Sequence, residues 1–177
     1  YNMTAVAAVA KRYQIDSDIL QEVLSHYTVN NGRMEAFQMG SNDVTLNLAK
    51  NPVGANMTLR VMNEMQGEKE LLFVLNDNIA DGLDVSWIWD INFSTFRNVT
   101  RVVTSGTRAY DIAVRIKCSG YDARNIVVRP DLDEAVAELN TTQGKKFVIA
   151  NYTAVQPTRS ALQRWIAHHG GAAHETN

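Results

Sequence analysis

Apolar positions change period along this chain, and each change marks an element. From Met3 to Arg12, Val6, Val9 and Ala10 fall on one face of a helix. A second helix starts at Ser17, a residue suited to cap a first turn, with Ile19, Val23 and Leu24 as its apolar stripe. The helical spacing stops between Val29 and Gly32, where a domain boundary is expected. MEAFQM and DVTLNLA then alternate apolar and polar residues on either side of a GSN turn, the pattern of a β-hairpin. PVGANMTLRVMNEMQ follows as a helix with Pro52 in its first turn, where a missing amide hydrogen costs nothing. ELLFVLND, RVVTSG, NIVVRP and KKFVIANY have the composition of strands; TRAYDIAVRIKCSG, DLDEAVAELNTT and TRSALQRWIAHH have that of helices. In the first of these three helices Ala109, Ile112, Ala113 and Ile116 face the sheet, Thr107 suits the cap and Gly120 the C-terminal stop. Pro157 is expected at the start of the last helix.

Such alternation predicts an α/β fold: a three-layer αβα, Rossmann-like, mainly parallel sheet with an N-terminal β-hairpin, preceded by two helices. The two helices, residues 1–30, need a further surface to pack on. Residues 31–168 form the sheet domain, and the polar, glycine-containing residues 169–177 are expected to be a disordered end. The chain opens on YNMTAVAAVA, without an initiator methionine, and so reads as part of a longer protein.

Composition narrows the function classes. At 177 residues and 45% hydrophobic, the chain can bury one good core. A formal net charge of −2 supplies no electrostatic case for nucleic acid. No apolar run approaches the length of a transmembrane segment. The single cysteine, Cys118, excludes an internal disulfide, and as a small apolar residue on an amphipathic helix it is expected to pack. The histidines His26, His168, His169 and His174 lack metal-ligand spacing, and no residue is assigned to a metal.

The most informative stretch is LLFVLNDNIADGLDVSWIWD. Leu71 to Leu75 is the unbroken apolar run of a strand covered on both faces, and Asn76, Asp77 and Asn78 end it. Ligands bind open α/β sheets at the carboxyl ends of strands, so Asp77, Asp81, Asp84 and Asp90 fall on the functional edge; the same residues also suit an ordinary acidic turn. Of Trp87 and Trp89, one is expected in the core and one at the surface. In GTRAYD, Arg108 and Asp111 stand three apart on a helix and can pair, or Arg108 can join Asp77 in binding a substrate at the same edge. Arg33, in a Gly-Arg turn, and Lys50 and Asn51, at a helix N-terminus, suit a phosphate or a carboxylate, though each also fits a solvated turn. No nucleophile and base pair, no G-x-S-x-G elbow and no Walker loop occurs, so a self-sufficient hydrolase is not expected.

Taken in order, YN with an alanine-rich helix, GRME, VTLNLAKNP, LNDNIADGLDVSWIWD, SGTRAYDIAVRIK and a late NYTA resemble the MurT subunits of bacterial lipid II isoglutaminyl synthase, within the Mur ligase family. The resemblance covers nearly the whole chain. It implies a Mur-ligase-like C-terminal domain preceded by the trailing helices of a central ATPase domain. It further implies ATP- and Mg2+-dependent amidation of the D-glutamate α-carboxylate of lipid II through an acyl phosphate, with ammonia from a separate glutaminase subunit, GatD. The setting would be cytoplasmic, at the inner face of the bacterial membrane, and the family's zinc would lie in the central domain, outside this chain. Arg33 matches an arginine that reaches the phosphates, Asn2 an asparagine near the adenine, and Asn47 the position of a ribose-binding aspartate; Lys50 and Asn51 fit the same cleft. One of Asp81, Asp84 and Asp90 matches an aspartate that completes the partner's cysteine-histidine pair or guides ammonia. The alternatives are a non-catalytic docking platform for the glutaminase and a Mur-like ligase domain that uses a different amine. On this account the fragment alone is inactive.

Overall fold

The computed structural model describes residues 2–27 and 32–169, which fall into two compact units at the break between those ranges. The expected boundary near Val29 lies mainly outside the described residues, as does the polar end except for His169. The first unit holds α1 (Asn2–Arg12) and α2 (Ser17–Ser25). Ser17 is not the cap of α2. Asp16 is extended and its carboxylate accepts the amide of Asp18 at 2.8 Å, because an acceptor one residue ahead of the helix reaches the free amides that Ser17, already helical, cannot. Val6, Val9, Ile19 and Val23 are all exposed, as expected of stripes that need a further surface.

The second unit is the α/β domain. Its elements are β1 (Glu35–Met39), β2 (Asn42–Leu48), α3 (Pro52–Glu64), β3 (Lys69–Val74), β4 (Val99–Ser105), α4 (Ala109–Cys118), β5 (Ile126–Val128), α5 (Leu132–Leu139), β6 (Lys145–Ala150) and α6 (Tyr152–His169). The sheet runs β1-β2-β6-β3-β4-β5; β1 is antiparallel to β2 and every other pair is parallel. β3 is central and wholly buried, which accounts for its apolar run. Alternation along β3 feeds two cores. Leu71, Phe73 and Leu75 meet α3, α4 and the segment after β3, while Leu72 and Val74 meet α5 and α6. On α4 the four predicted positions, Ala109, Ile112, Ala113 and Ile116, are the buried ones.

Two further expectations fail locally. α6 begins at Tyr152, so Pro157 lies inside it; the carbonyl of Asn151 accepts both the Ala154 and Val155 amides and starts the helix directly after β6. The proline sacrifices only its own bond to the carbonyl of Thr153. Cys118 is exposed, because it is the last residue of α4 and falls off the buried face. The tryptophans divide as expected: the 3-10 turn Ser86–Asp90 packs a partly buried Trp87 against the core and leaves Trp89 54% exposed.

At the amino edge of the sheet, Lys146 and Glu70 form a buried ion pair at 3.0 Å, with the Thr142 hydroxyl between them, bonded to both. Removing one partner strands a buried charge, so Glu70→Ala should lower the stability of the chain by about 3–5 kcal/mol. Urea unfolding of Glu70→Ala beside the volume-matched Glu70→Leu/Lys146→Met pair measures this; the double variant should recover most of the loss.

Candidate functional site

At the carboxyl ends of β3, β4 and β6 the chain departs to opposite faces: α6 packs on one, the segment after β3 on the other. Such a parting opens a crevice at the edge of an α/β sheet. Two asparagines close its floor. The Asn76 amide donates to Asn151 Oδ1 at 3.0 Å, and Asn151 Nδ2 donates to the Asn76 carbonyl at 2.7 Å. Asn76 Oδ1 also accepts the Thr107 amide at 3.1 Å, which brings in the end of β4. Gly106 turns there with φ +91°; a Cβ would stand 2.5 Å from the Leu75 carbonyl, so only glycine fits.

The acidic residues separate by what they touch. Asp81 is committed: Oδ1 accepts the Thr153 amide at 2.9 Å, Oδ2 accepts the Thr153 hydroxyl, and Asn78 Nδ2 donates to that hydroxyl at 2.8 Å. Its carboxylate thereby sits at the N-terminus of α6, among free amides. Asp77 receives the Thr107 hydroxyl at 2.8 Å and Arg108 at 3.2 Å, and these two hold its carboxyl below the usual carboxylate range. Arg108 grips Asp111 with two bonds at 2.8 and 2.9 Å, so the predicted helical pairing occurs. Thr107 does not cap α4; its hydroxyl is taken by Asp77. Arg108 and Asp77 therefore satisfy each other, and Asp81 is not part of their cluster.

Asp84 differs. One oxygen accepts the Ser86 amide at 2.8 Å, and that bond lowers its pKa. The residue is exposed and lines a cleft of about 430 Å³ with Leu83, Trp89, Arg108, Tyr110 and Val114. Asp90 is exposed at the end of the 3-10 turn and outside that cleft; its carbonyl accepts Asn56 Nδ2 at 3.2 Å. Arg115 fixes the turn by donating to the carbonyls of Ile88 and Ile91 at 3.2 and 2.5 Å and by covering the Trp89 ring at 5.5 Å.

A second group of predicted residues surrounds the end of β2. Arg33 and Lys50 are exposed on either side of it, the carbonyl of Gly32 being bonded to the Leu48 amide. Asn51 caps α3, its Oδ1 accepting Gly54 N–H at 2.9 Å. Asn47 is used on both ends of its amide, accepting Met34 N–H at 3.1 Å and donating to Thr58 at 2.5 Å. Asn2 opens α1, and its side chain lies outside the described features. Asn76, Asn151, Thr153, Arg115, Glu35 and Arg159 carry contacts that spacing did not single out. The motifs GRME, LNDNIADGLDVSWIWD, SGTRAYDIAVRIK and NYTA contain all of them but Arg159, without a role for any in these contacts.

Residues 48–155 match the family described as MurT ligase C-terminal, which is more than half of the chain. The chain belongs to the MurT ligase C-terminal family. It is 34% identical to the MurT subunit of lipid II isoglutaminyl synthase (glutamine-hydrolyzing) from Staphylococcus aureus over 166 residues, 93% of this chain and 38% of that protein. It is 32% identical to the Streptococcus pneumoniae MurT subunit over 165 residues, 92% of this chain and 37% of that protein. The chain thus spans little more than a third of these relatives. Among solved structures, MurC from Thermotoga maritima superposes with a TM-score of 0.70 at 13% identity, covering 94% of this chain and 36% of MurC. MurF from Acinetobacter baumannii gives 0.70 at 16% identity, covering 94% of this chain and 37% of MurF. These likenesses confirm the Rossmann-like α/β fold of a Mur ligase C-terminal domain.

Because Asp77 is held below its ordinary pKa, its bonds to Thr107 and Arg108 stabilise the fold only while it is ionised. The stabilisation is complete above the unfolded value of about 3.9 and is lost as pH falls through the lower folded value. The gap in Tm between the natural chain and Asp77→Asn should stay constant from about pH 7 to about pH 5 and close below about pH 4. Thermal unfolding across that range checks it.

Proposed function

We propose that this chain is the C-terminal domain of the ligase subunit of a lipid II isoglutaminyl synthase, which amidates the D-glutamate α-carboxylate of lipid II using ATP and ammonia from a GatD-type glutaminase. The work would take place at the cytoplasmic face of the bacterial membrane; among the described residues no helix is long and apolar enough to cross one. Membership in the MurT family supports the reaction class. The observation that supports a share in the chemistry is Asp84, an ionised carboxylate with one oxygen fixed and the residue exposed in an apolar-walled cleft.

That carboxylate suits the orientation of an imidazolium contributed by another chain, which would make the domain half of a composite glutaminase site. Asp81 serves α6 instead, and Asp90 stands apart from the cleft. Leu83, Trp89, Tyr110 and Val114, each more than half exposed, form the apolar wall on which the glutaminase would dock. ATP suits the opposite flank, where Arg33 and Lys50 offer two cations beside the N-terminus of α3. Asn51 and Asn47 support that flank from within as cap and brace. Among the described residues no group of three acidic, histidine or cysteine side chains is placed to hold a metal ion, so magnesium would arrive held mainly by the nucleotide phosphates.

In full-length protein paired with its glutaminase, Asp84→Asn should cut glutamine-driven amidation by about 10²-fold or more while ammonium-driven amidation and the complex persist. Unchanged glutamine-driven turnover would remove Asp84 from the site. Tyr110→Asp combined with Val114→Asp should abolish co-elution of the two subunits in size-exclusion chromatography; an intact complex would place the docking surface elsewhere.

A further inference from the structure

The Gly32–Met34 turn is held more firmly than an exposed loop requires. Gly32 is buried at φ +78°, and a Cβ there would stand 2.6 Å from Val155 Cγ1. Its carbonyl accepts the Leu48 amide at 2.5 Å and its own amide donates to Glu35 Oε1 at 2.5 Å. Met34 sits at φ +50°, a left-handed conformation that a long side chain rarely adopts, and its amide is held by Asn47 Oδ1. Strain of this kind persists only where the surroundings over-determine the backbone.

One of these restraints is anchored 124 residues away along the chain. Arg159 of α6 clasps Glu35 with two bonds, Nε to Oε2 at 2.8 Å and a terminal nitrogen to Oε1 at 2.5 Å. The two side chains are only 18% and 13% exposed. Burial alone would push the Glu35 carboxyl up, but the bonds from Arg159 and from the Gly32 amide outweigh it and keep the group below its usual range. Glu35 Oε1 therefore serves the guanidinium and the turn together. Neutralised in this way, Arg159 is not the cation that the turn presents. Arg33 is, and its side chain is exposed.

We infer that the Glu35–Arg159 pair is a positioning device: by fixing the backbone on both sides of Arg33, it aims that guanidinium at an anionic ligand, the phosphates of a nucleotide. The inference rests on the ligase reading given above. Glutamine at position 35 keeps an acceptor for the Gly32 amide but offers Arg159 only one oxygen, so the fork is broken and the aim is lost. Lysine at position 159 keeps the charge and loses the fork from the other side.

The test uses full-length subunit with its glutaminase partner and steady-state amidation at varied ATP, lipid II and glutamine. Glu35→Gln and Arg159→Lys should each raise the KM for ATP by about tenfold, leaving the KM for glutamine and for lipid II within about twofold. Adding either change to Arg33→Ala should cause no further rise, since all three act through one guanidinium. A purely structural ion pair would instead lower Tm and the amount of active protein, with the KM for ATP unmoved in the active fraction, or would add its effect to that of Arg33→Ala. Either result overturns the inference. Should Arg33→Ala itself leave the KM for ATP unchanged, the assignment of Arg33 to the phosphates fails and takes the positioning role with it. If Arg33→Ala is impaired while both partner variants are normal, the positioning role fails alone.

Discussion

The two hydrogen bonds between the Asn151 side-chain amide and the Asn76 backbone tie together the carboxyl ends of β3 and β6, and everything displayed at that edge is registered from them. The Asn151 side chain both accepts from the Asn76 amide and donates to the Asn76 carbonyl, so a slip of one strand past the other would leave a buried polar group without a partner, at a cost of about 1–3 kcal/mol. Asn151 is 2% exposed, which makes that penalty unavoidable. From Asn76 the restraint passes to Thr107 at the end of β4, and from Thr107 to Asp77 and Arg108. From Asn151 it passes to the first turn of α6, where Asp81 receives Thr153. A neutral hydrogen-bonded pair thus sets the frame on which the charged groups are arranged.

Within that frame, charges divide into those consumed by the fold and those presented outward. Asp77, Asp81, Asp111 and Arg108 satisfy one another or a helix end. Asp84 on one flank and Arg33 with Lys50 on the other remain exposed. The two flanks lie on different strand ends, β3 and β2, with β6 between them. An arrangement of that kind suits a domain that touches different partners on its two sides.

Most of the architecture was legible in the sequence because it rests on local periodicity. The hairpin, the buried β3 and the inward face of α4 follow from spacings of two and three to four residues, and each occurs where it was expected. Local signals misplaced the start of α6, because Pro157 is a strong helix-start residue whereas the actual start is set by the Asn151 carbonyl and by Asp81. They could not sort Asp81 from Asp84 from Asp90 either: Thr153 is 72 residues away from Asp81, and no pattern in ADGLDVSWIWD reveals it. The Glu35–Arg159 pair spans 124 residues and was equally invisible. Asn47 and Asn51 stood where polar residues for a ligand were expected, and their amides are used as a brace and a cap.

The strand order carries a consequence for how the chain assembles. β6, last of the strands in sequence, lies between β2 and β3 and pairs with both. Until it has been synthesised, β1 and β2 can form a hairpin and β3, β4 and β5 can associate, but the two groups have no strand in common. Both therefore expose an unpaired inner edge during synthesis, the edge of β3 carrying some of the most apolar sequence in the chain. Closing the sheet joins segments about a hundred residues apart, which is slow by loop-closure entropy. The element that completes the candidate site is thus also the one whose late arrival ends the domain's exposure to edge-to-edge association.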